Sequence, residues 1–293
     1  MSDLDKKLGK KLRAIRIQKG ITQKSLAGEK ITRNMLSLIE SGNASPSLST
    51  LIYLSEKLDT PAGYFFSTTA EDEGVYHKLM ILDKLKAAFK QKDYRECEAI
   101  IDSLPQSSYD DELSYIMAVS YLNTSLEAAA EFDMRAAAER LATAEVISEN
   151  SIYCGDSFSA AIEFYSELFR SLATDDIPHI LCDYRFCGEF VPSELIEYFR
   201  SIKLISQGED VQVFFQRGSF YDRHITALNL LMDGRANDAL KRLRELSEDP
   251  ELPYYMQYRV LSDLENAANV TGDVRIAYAS SKKKLELTVR FKV

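Results

Sequence analysis

The sequence predicts an all-α protein, with a small N-terminal helical domain followed by a longer array of paired helices. Only 12 glycines and 7 prolines occur in 293 residues, and this scarcity of helix breakers favours long helices. Apolar residues recur at helical spacing, and no stretch alternates apolar and polar residues over a useful strand length. The length exceeds that of a usual single core, so we expect more than one domain.

Five short helices are predicted at the N-terminus from apolar spacing and from residues that cap or stop helices. The residues that define them in chain order are Leu8, Leu12, Ile15 and Gly20; Thr22, Leu26 and Ala27; Thr32, Leu36, Ile39 and Gly42; Ser47, Leu51, Leu54 and Leu58; Thr60 and Pro61. Proline is favoured at the first position of a helix. The fifth helix is therefore expected to open at Pro61.

The rest of the chain shows a recurring pattern in the second helix of several pairs: a small residue, then apolar residues four and seven positions later. A small residue lets two helix backbones approach closely. The instances are Cys97, Ile101 and Leu104; Ala137, Leu141 and Ala144; Ala239, Leu243 and Leu246. In a fourth instance, which begins near Gly272 and includes Ala277, polar Ser281 and Lys284 take the apolar positions. We therefore expect a terminal capping helix with a polar outer face. Further helices are expected at 158–173 and 193–206.

Charge divides the chain. Residues 1–69 hold 11 basic and 6 acidic residues, a net charge of +5, whereas residues 70–293 hold 25 basic and 39 acidic residues, a net charge of −14. This asymmetry indicates a module that binds a polyanion. The sign changes in the polar stretch 67–74. We therefore predict a DNA-binding domain over 1–67, a linker over 68–74 and a helical repeat domain over 75–293.

The N-terminal residues resemble the helix-turn-helix domain of the Cro/C1 (XRE) family of phage and bacterial repressors over about residues 8–66. The matching residues are Arg13, Gly20-Ile21-Thr22-Gln23, Leu26-Ala27, Thr32-Arg33, Ile39-Glu40-Ser41-Gly42, Pro46-Ser47-Leu48, Thr50-Leu51 and Leu58. This resemblance implies a five-helix, lambda-repressor-like fold. It also implies that the third helix reads bases in the major groove of DNA.

The predicted DNA contacts follow from that placement. Arginine matches the guanine edge and asparagine the adenine edge, and other polar groups near the helix contact phosphates. The predicted residues are Gln23, Thr32, Arg33, Asn34, Ser37, Asn43 and Ser45. The alternative for Arg33 and Asn34 is an ordinary solvated helix face. Met35 and Leu38 are candidates for contacting thymine methyl groups, with core packing the alternative for Leu38. A diffuse phosphate-attracting fringe or a plain solvated face is predicted for Lys6, Lys7, Lys10, Lys11 and Arg16.

The repeat region resembles tetratricopeptide repeats. A Cro-like head joined to such repeats is similar to the RNPP group of peptide-responsive regulators of Gram-positive bacteria. The resemblance implies quorum sensing and a signalling peptide in the concave face of the repeats, gripped by asparagine side chains. The candidates are Asn123, Asn229 and Asn266, with Tyr221, Tyr258, Tyr165 and Phe169 as neighbours. For each of them the alternative is a structural role: an exposed asparagine or an aromatic residue of the core.

Other functions have little support in the sequence. His179, Cys182 and Cys187, with Cys154 nearby, match no compact zinc spacing, so we expect no metal and no cofactor. With three histidines in all and no phosphate loop or catalytic constellation, we do not expect an enzyme. No apolar run is long enough to cross a membrane and no secretory signal is apparent, so the expected location is the cytoplasm.

We therefore predict a transcription regulator that binds a pseudo-palindromic operator in double-stranded DNA as a homodimer. A dimer is expected because one small head buries too little surface for high specificity. A peptide or another ligand is predicted to control it. The alternative is a DNA-tethered scaffold that binds a protein partner and has no small effector.

Overall fold

The computed structural model describes residues 3–105, 108–183, 188–209, 211 and 215–291. Within those ranges every regular element is a helix, apart from one isolated antiparallel bridge between Gly188 and Val191. The all-α prediction is confirmed. The chain divides into two compact units, Met1–Leu113 and Ser114–Val293.

The elements that the structure describes in the first unit are six α-helices, a 3-10 helix and the start of a seventh α-helix. They are α1 (Asp3–Gln18), α2 (Gln23–Ala27), α3 (Arg33–Glu40), α4 (Leu48–Lys57), the 3-10 helix (Ala62–Phe66), α5 (Ala70–Lys90), α6 (Tyr94–Asp102) and α7 (Asp111–Ala130). The first four match the predicted helices. The fifth is a 3-10 helix in which Pro61 is the N-cap residue rather than the first helical residue.

The core of the first unit is formed by the apolar faces of α1 to α4 and by the 3-10 helix. Its buried members are Leu8, Leu12, Ile15, Leu26, Ala27, Leu36, Ile39, Leu51, Leu54, Leu58, Tyr64 and Phe65, and Tyr76 of α5 packs against them. Helix α5 begins inside the segment predicted as a linker. The reason is local, because the Thr69 side chain and Asp72 form a capping box that starts the helix at Ala70.

The second unit continues α7 and adds seven α-helices and a 3-10 helix among the described residues. They are α8 (Met134–Ser148), α9 (Asp156–Arg170), the 3-10 helix (His179–Cys182), α10 (Ser193–Ser206), α11 (Phe220–Met232), α12 (Ala236–Ser247), α13 (Tyr254–Thr271) and α14 (Val274–Arg290). From α10 to α14 each helix packs against the next one in the chain. Such packing between neighbours is typical of helical repeats.

The predicted repeat pattern coincides with helix starts. Helices α6, α8 and α12 begin at Tyr94, Met134 and Ala236, each three residues before the small residue of its repeat. The small residues Cys97, Ala137 and Ala239 are fully buried. Helix α14 begins three residues before Ala277 in the same way.

The turn before these helices is also repeated, although the sequence analysis did not find it. A residue with positive φ precedes the N-cap each time: Lys92 (59°), Phe132 (64°), Gly234 (74°) and Gly272 (80°). In three of the four turns the N-cap residue is an aspartate, whose side chain accepts a hydrogen bond from a backbone N–H of the first helical turn. The four turns therefore share one backbone conformation just before the N-cap.

The outer face of α14 differs from the prediction. Val274, Tyr278, Leu285 and Val289 are all exposed to solvent. The prediction of a polar outer face is therefore wrong. It is based on Ser281 and Lys284 alone, whereas the exposed apolar residues lie at other positions of the helix.

A buried polar chain joins three helices of the second unit. The Tyr198 hydroxyl lies 2.9 Å from Nδ1 of His224, and Nε2 of His224 lies 3.0 Å from a carboxylate oxygen of Asp263. Burial raises the pKa of the Tyr198 hydroxyl well above its usual value. These bonds satisfy both ring nitrogens of a fully buried histidine and tie α10 to α11 and α13.

No helix among the described residues combines the length and the apolar content needed to cross a bilayer.

Candidate functional site

Helices α2 and α3 are short, and a threonine is the N-cap residue of each. The Thr22 hydroxyl accepts a hydrogen bond from the Ser25 amide at 3.1 Å, and the Thr32 hydroxyl accepts one from the Met35 amide at 3.1 Å. Each cap satisfies one of the unpaired amide groups at a helix start. The two caps fix where each helix of the pair begins.

Helix α3 has one buried face and one exposed face. Leu36 and Ile39 lie in the core. Five neighbouring side chains point to solvent instead: Arg33, Asn34, Met35, Ser37 and Leu38. Leu38 is 45% exposed, so the core-packing alternative for this residue is wrong. The exposed face offers hydrogen-bond donors, hydrogen-bond acceptors and two apolar side chains, the groups used to read base edges and thymine methyls.

A buried ion pair holds the end of α3 against α1. The Arg16 guanidinium donates from Nε to Oε1 of Glu40 at 2.6 Å and from Nη2 to Oε2 at 3.0 Å. The hydrogen bonds that Arg16 donates to Glu40 raise the pKa of Arg16. Arg16 also donates to the Ile21 carbonyl at 2.9 Å. One side chain of α1 therefore fixes both α3 and the turn before α2.

Backbone contact between α1 and α3 is equally close. A Cβ added at Gly9 would overlap the carbonyl oxygens of Ile39 and Glu40. Only glycine permits this approach. The position of α3 on α1 is thus set by a missing side chain as well as by an ion pair.

Three exposed cations surround a cleft beside α3. Arg13, Lys24 and Arg33 line it together with hydroxyl groups of Thr22 and Ser37. None of these cations has an ion-pair partner in the part of the chain that the structure describes. Arg13 and Lys24 are not among the DNA-contacting residues predicted from the sequence. The feature of the sequence that could have identified Lys24 is its position next to Gln23, a predicted DNA contact, at the start of α2.

The remaining predicted DNA contacts lie around this face with their own partners. The Gln23 amide donates to Oε2 of Glu40 at 2.8 Å, and the Asn43 amide donates to the Ser41 hydroxyl at 3.0 Å. The Ser45 hydroxyl donates to a carboxylate oxygen of Asp5. Gln23 is half-buried, whereas Asn43 and Ser45 are exposed at the end of α3. These residues border the face, and their roles in contacting phosphates stay predictions.

Two members of the predicted basic fringe have structural roles instead. Arg16 is the buried partner of Glu40. Lys11 donates to the Ser67 carbonyl at 2.8 Å and lies 2.6 Å from a carboxylate oxygen of Glu73. Both cations are half-buried and held by specific acceptors, so they do not belong to a diffuse fringe. Lys6, Lys7 and Lys10 are exposed.

Several of the predicted ligand residues of the second unit have partners within the protein. The Asn123 amide donates to the Val119 carbonyl of its own helix at 2.8 Å. The Tyr221 hydroxyl lies 2.8 Å from that of Tyr255, and Tyr258 lies under the Lys284 ammonium group at 5.0 Å. Their roles in ligand binding stay predictions, and their placements are as follows. Asn229 is half-buried, Asn266 is exposed, and Tyr165 and Phe169 are buried. Cys187 lies outside the described residues.

A groove of about 630 Å³ runs between α8 and α9. Its floor is apolar and includes Leu141, Ile162 and Phe291, and its rim carries Glu145 and Glu163. Of the predicted ligand residues only Phe169 lines it. Neither Glu145 nor Glu163 has an ion-pair partner within the described ranges. The groove has a size typical of ligand sites.

The geometry of α2 and α3 defines a helix-turn-helix, the class of DNA-binding domain found in transcription regulators. The comparison with protein families agrees, because residues 12–65 match the helix-turn-helix model HTH_3. No curated protein matches the chain. Among solved structures the chain is similar to Bacillus thuringiensis PlcR in complex with the peptide PapR7 and DNA. The identity is 17%, the match covers 97% of this chain and 96% of that chain, and the TM-score is 0.23. Because that score is too low to equate the two overall arrangements, we draw nothing from this match.

Proposed function

We propose that this protein is a sequence-specific DNA-binding transcription regulator that inserts α3 into the major groove. The observation that carries the proposal is the exposed polar face of α3 on a helix that is capped at Thr32 and fixed at Glu40. Such a helix presents its N-terminal side chains to base edges with little freedom to move. This function requires the protein to share a compartment with DNA, which in bacteria is the cytoplasm.

Within this proposal Arg33 and Asn34 read bases. The Arg33 guanidinium can donate two hydrogen bonds to guanine, and the Asn34 amide can pair with adenine. Arg13 and Lys24, which line the cleft beside α3, are placed to neutralise phosphates on either side of the groove. Base contacts set specificity, whereas phosphate contacts add affinity for any sequence.

The proposed assembly on DNA is a homodimer on two half-sites. One helix-turn-helix reads only a few base pairs, so a single copy buries too little surface for high specificity. Two copies related by a two-fold axis would read a pseudo-palindromic operator.

The test starts from a pool of random duplexes, from which the full-length protein selects its preferred sequence. We expect the double substitution Arg33→Ala with Asn34→Ala to lower affinity for that sequence by at least tenfold at fixed salt, because each lost base contact costs about 1–3 kcal/mol. Affinity for random duplex should change far less. The matched control is Arg135→Ala with Asn150→Ala on and after α8. Equal losses on both kinds of duplex would show that these residues do not read bases.

We further propose that a short peptide controls the regulator by binding in the groove between α8 and α9. The apolar floor suits apolar side chains of the peptide. The carboxylates of Glu145 and Glu163 at the rim would attract a basic group, because charges of opposite sign steer binding and fix its orientation. The preferred ligand is therefore a peptide that carries both apolar and basic residues.

A random heptapeptide library can test this proposal on the full-length protein. We expect enriched peptides to combine Lys or Arg with apolar residues. Ala142→Trp should abolish the enrichment, because the indole fills the groove that Ala142 lines. Val146→Trp is the control, since Val146 is exposed on the same helix and does not line the groove. No enrichment by the wild-type protein, together with a folded partner protein bound to the second unit, would favour the scaffold alternative.

A further inference from the structure

The C-terminal helix carries a continuous apolar stripe on its outer face. Val274, Tyr278, Leu285 and Val289 are each at least 66% exposed. At 3.6 residues per turn, the four positions fall within about 60° of one another around the helix. The opposite face of α14 is buried through Ser280 and Leu287. The stripe therefore remains uncovered while the other side of the helix packs against the second unit.

The stripe is symmetric along the helix. Val274 and Val289 lie at equal distances from a midpoint between residues 281 and 282, and so do Tyr278 and Leu285. If a second α14 lay antiparallel across the first, Val274 would meet Val289 of the other copy and Tyr278 would meet Leu285. Ser281 at the centre is small enough for two helices to approach closely.

We propose that this stripe is the surface through which two copies of the chain associate, α14 against α14. A two-fold interface must be self-complementary, because the same patch serves both partners. The spacing of the four apolar residues meets this requirement. The proposal deepens the homodimer of the proposed function by assigning it a surface.

Charges beside the stripe fit the same arrangement. Arg275 and Glu286 are exposed on one flank of it, at about 100° and 120° around the helix from Val274. In an antiparallel helix pair the same flanks of the two helices face each other. With the two-fold axis between residues 281 and 282, Glu286 of one copy lies only about 3 Å along the helix from the level of Arg275 of the other. The two long side chains can span that offset, and the two-fold axis would form this pair twice. Neither residue has an ion-pair partner in the described part of this chain.

The flank also contains a cation near the axis. Lys282 is exposed at the midpoint of the helix, one turn before Glu286. Glu286 offsets part of the repulsion between the two Lys282 side chains. The interface along α14 is short, about 25 Å for 17 residues, and a single helix pair buries less than the roughly 800 Å² per partner of a standard interface. We therefore expect a dimer that dissociates on dilution.

The first experiment is sedimentation of the full-length protein over a range of concentrations. The wild-type protein should change from monomer to dimer as concentration rises. Leu285→Arg should weaken association at least tenfold, because it places a cation opposite Tyr278 and near Lys282. Val146→Arg on α8 makes the same chemical change at an exposed valine outside the stripe and should leave the dimer intact. Circular dichroism checks that both variants fold.

The second experiment identifies the partner helix. Arg275→Glu and Glu286→Arg should each weaken self-association, because each variant faces two like charges across the axis. Mixing the two variants should restore a dimer, since every facing pair is then opposite in charge. Residues 275 and 286 are about 16 Å apart along one helix, so pairing within one chain cannot produce this rescue.

Two results would overturn the proposal: a wild-type protein that stays monomeric at all concentrations, and a Leu285→Arg variant that dimerises as tightly as the wild type. A stable complex with another protein that requires the stripe would assign it to that partner instead. Sequence-specific binding of DNA is measured separately through Arg33 and Asn34. Failure of the dimer surface therefore leaves the proposed DNA-binding function intact, and the reverse also holds.

Discussion

At the residue scale, the placement of α3 depends on the buried carboxylate of Glu40. Its two oxygens accept hydrogen bonds from both Arg16 and Gln23, and its side chain is only 2% exposed. A negative charge at the C-terminal end of a helix is unfavourable because that end carries a partial negative charge. The Arg16 guanidinium compensates for that repulsion and for the loss of water.

We predict that Glu40→Gln destabilises the first unit by about 3 kcal/mol, because Arg16 would keep a largely buried charge without its counter-charge. Hydrogen exchange at the amides of α3, measured in the full-length protein, should become faster. Glu29→Gln removes an exposed carboxylate of the same unit and should have little effect. Unchanged exchange in Glu40→Gln would mean that the ion pair does not hold the helix.

The exposed face of α3 is predictable from the sequence, but the residues that hold the helix in place are not. The face follows from local spacing, since Arg33, Asn34 and Ser37 alternate with the core residues Leu36 and Ile39. The contact of Arg16 with Glu40 joins residues 24 positions apart, and helical spacing carries no information about such pairs. For that reason the sequence predicts only a phosphate-attracting fringe or a plain solvated face for Arg16.

At the element scale, helix starts in the repeats were predictable, whereas the turns before them were not. The small residues of the repeats lie in the sequence at fixed distances from the helix starts. The turns place Lys92 and Phe132 at positive φ. Residues other than glycine adopt this backbone conformation at a cost in free energy. Glycine occupies this position only at Gly234 and Gly272, so composition alone does not reveal the repeated turn.

We predict that Lys92→Gly stabilises the first unit by roughly 0.5–1 kcal/mol, since glycine removes the strain at positive φ and loses only part of that gain to chain entropy. Lys92 is exposed, so no packing is lost. Urea unfolding of the full-length protein would show the gain as a higher midpoint for the transition of the first unit. Lys90→Gly, at the last residue of α5, should lower that midpoint instead. A lower midpoint for Lys92→Gly as well would mean that its turn is not strained.

At the scale of the whole molecule, the net positive charge is limited to one short part of the chain. Residues 1–113, the first compact unit, hold 17 basic and 17 acidic residues and are neutral overall. The second unit holds 19 basic and 28 acidic residues, a net charge of −9. The excess of cations is thus confined to residues 1–69, which contain the helix-turn-helix. Repulsion by the acidic remainder should limit contact with DNA to that segment.

Because contact with DNA is limited to this small segment, we expect affinity for DNA to depend on the association of two copies. With α14 joining them, binding of one head raises the effective concentration of the other at the second half-site. We predict that wild-type protein binds a duplex with two half-sites at least tenfold more tightly than a duplex with one, measured by fluorescence anisotropy at one salt concentration. Leu285→Arg should remove most of this difference while leaving affinity for the single half-site unchanged. Arg33→Ala with Asn34→Ala should lower affinity for both duplexes. Equal affinity of the wild-type protein for the two duplexes would show that a single copy binds DNA on its own.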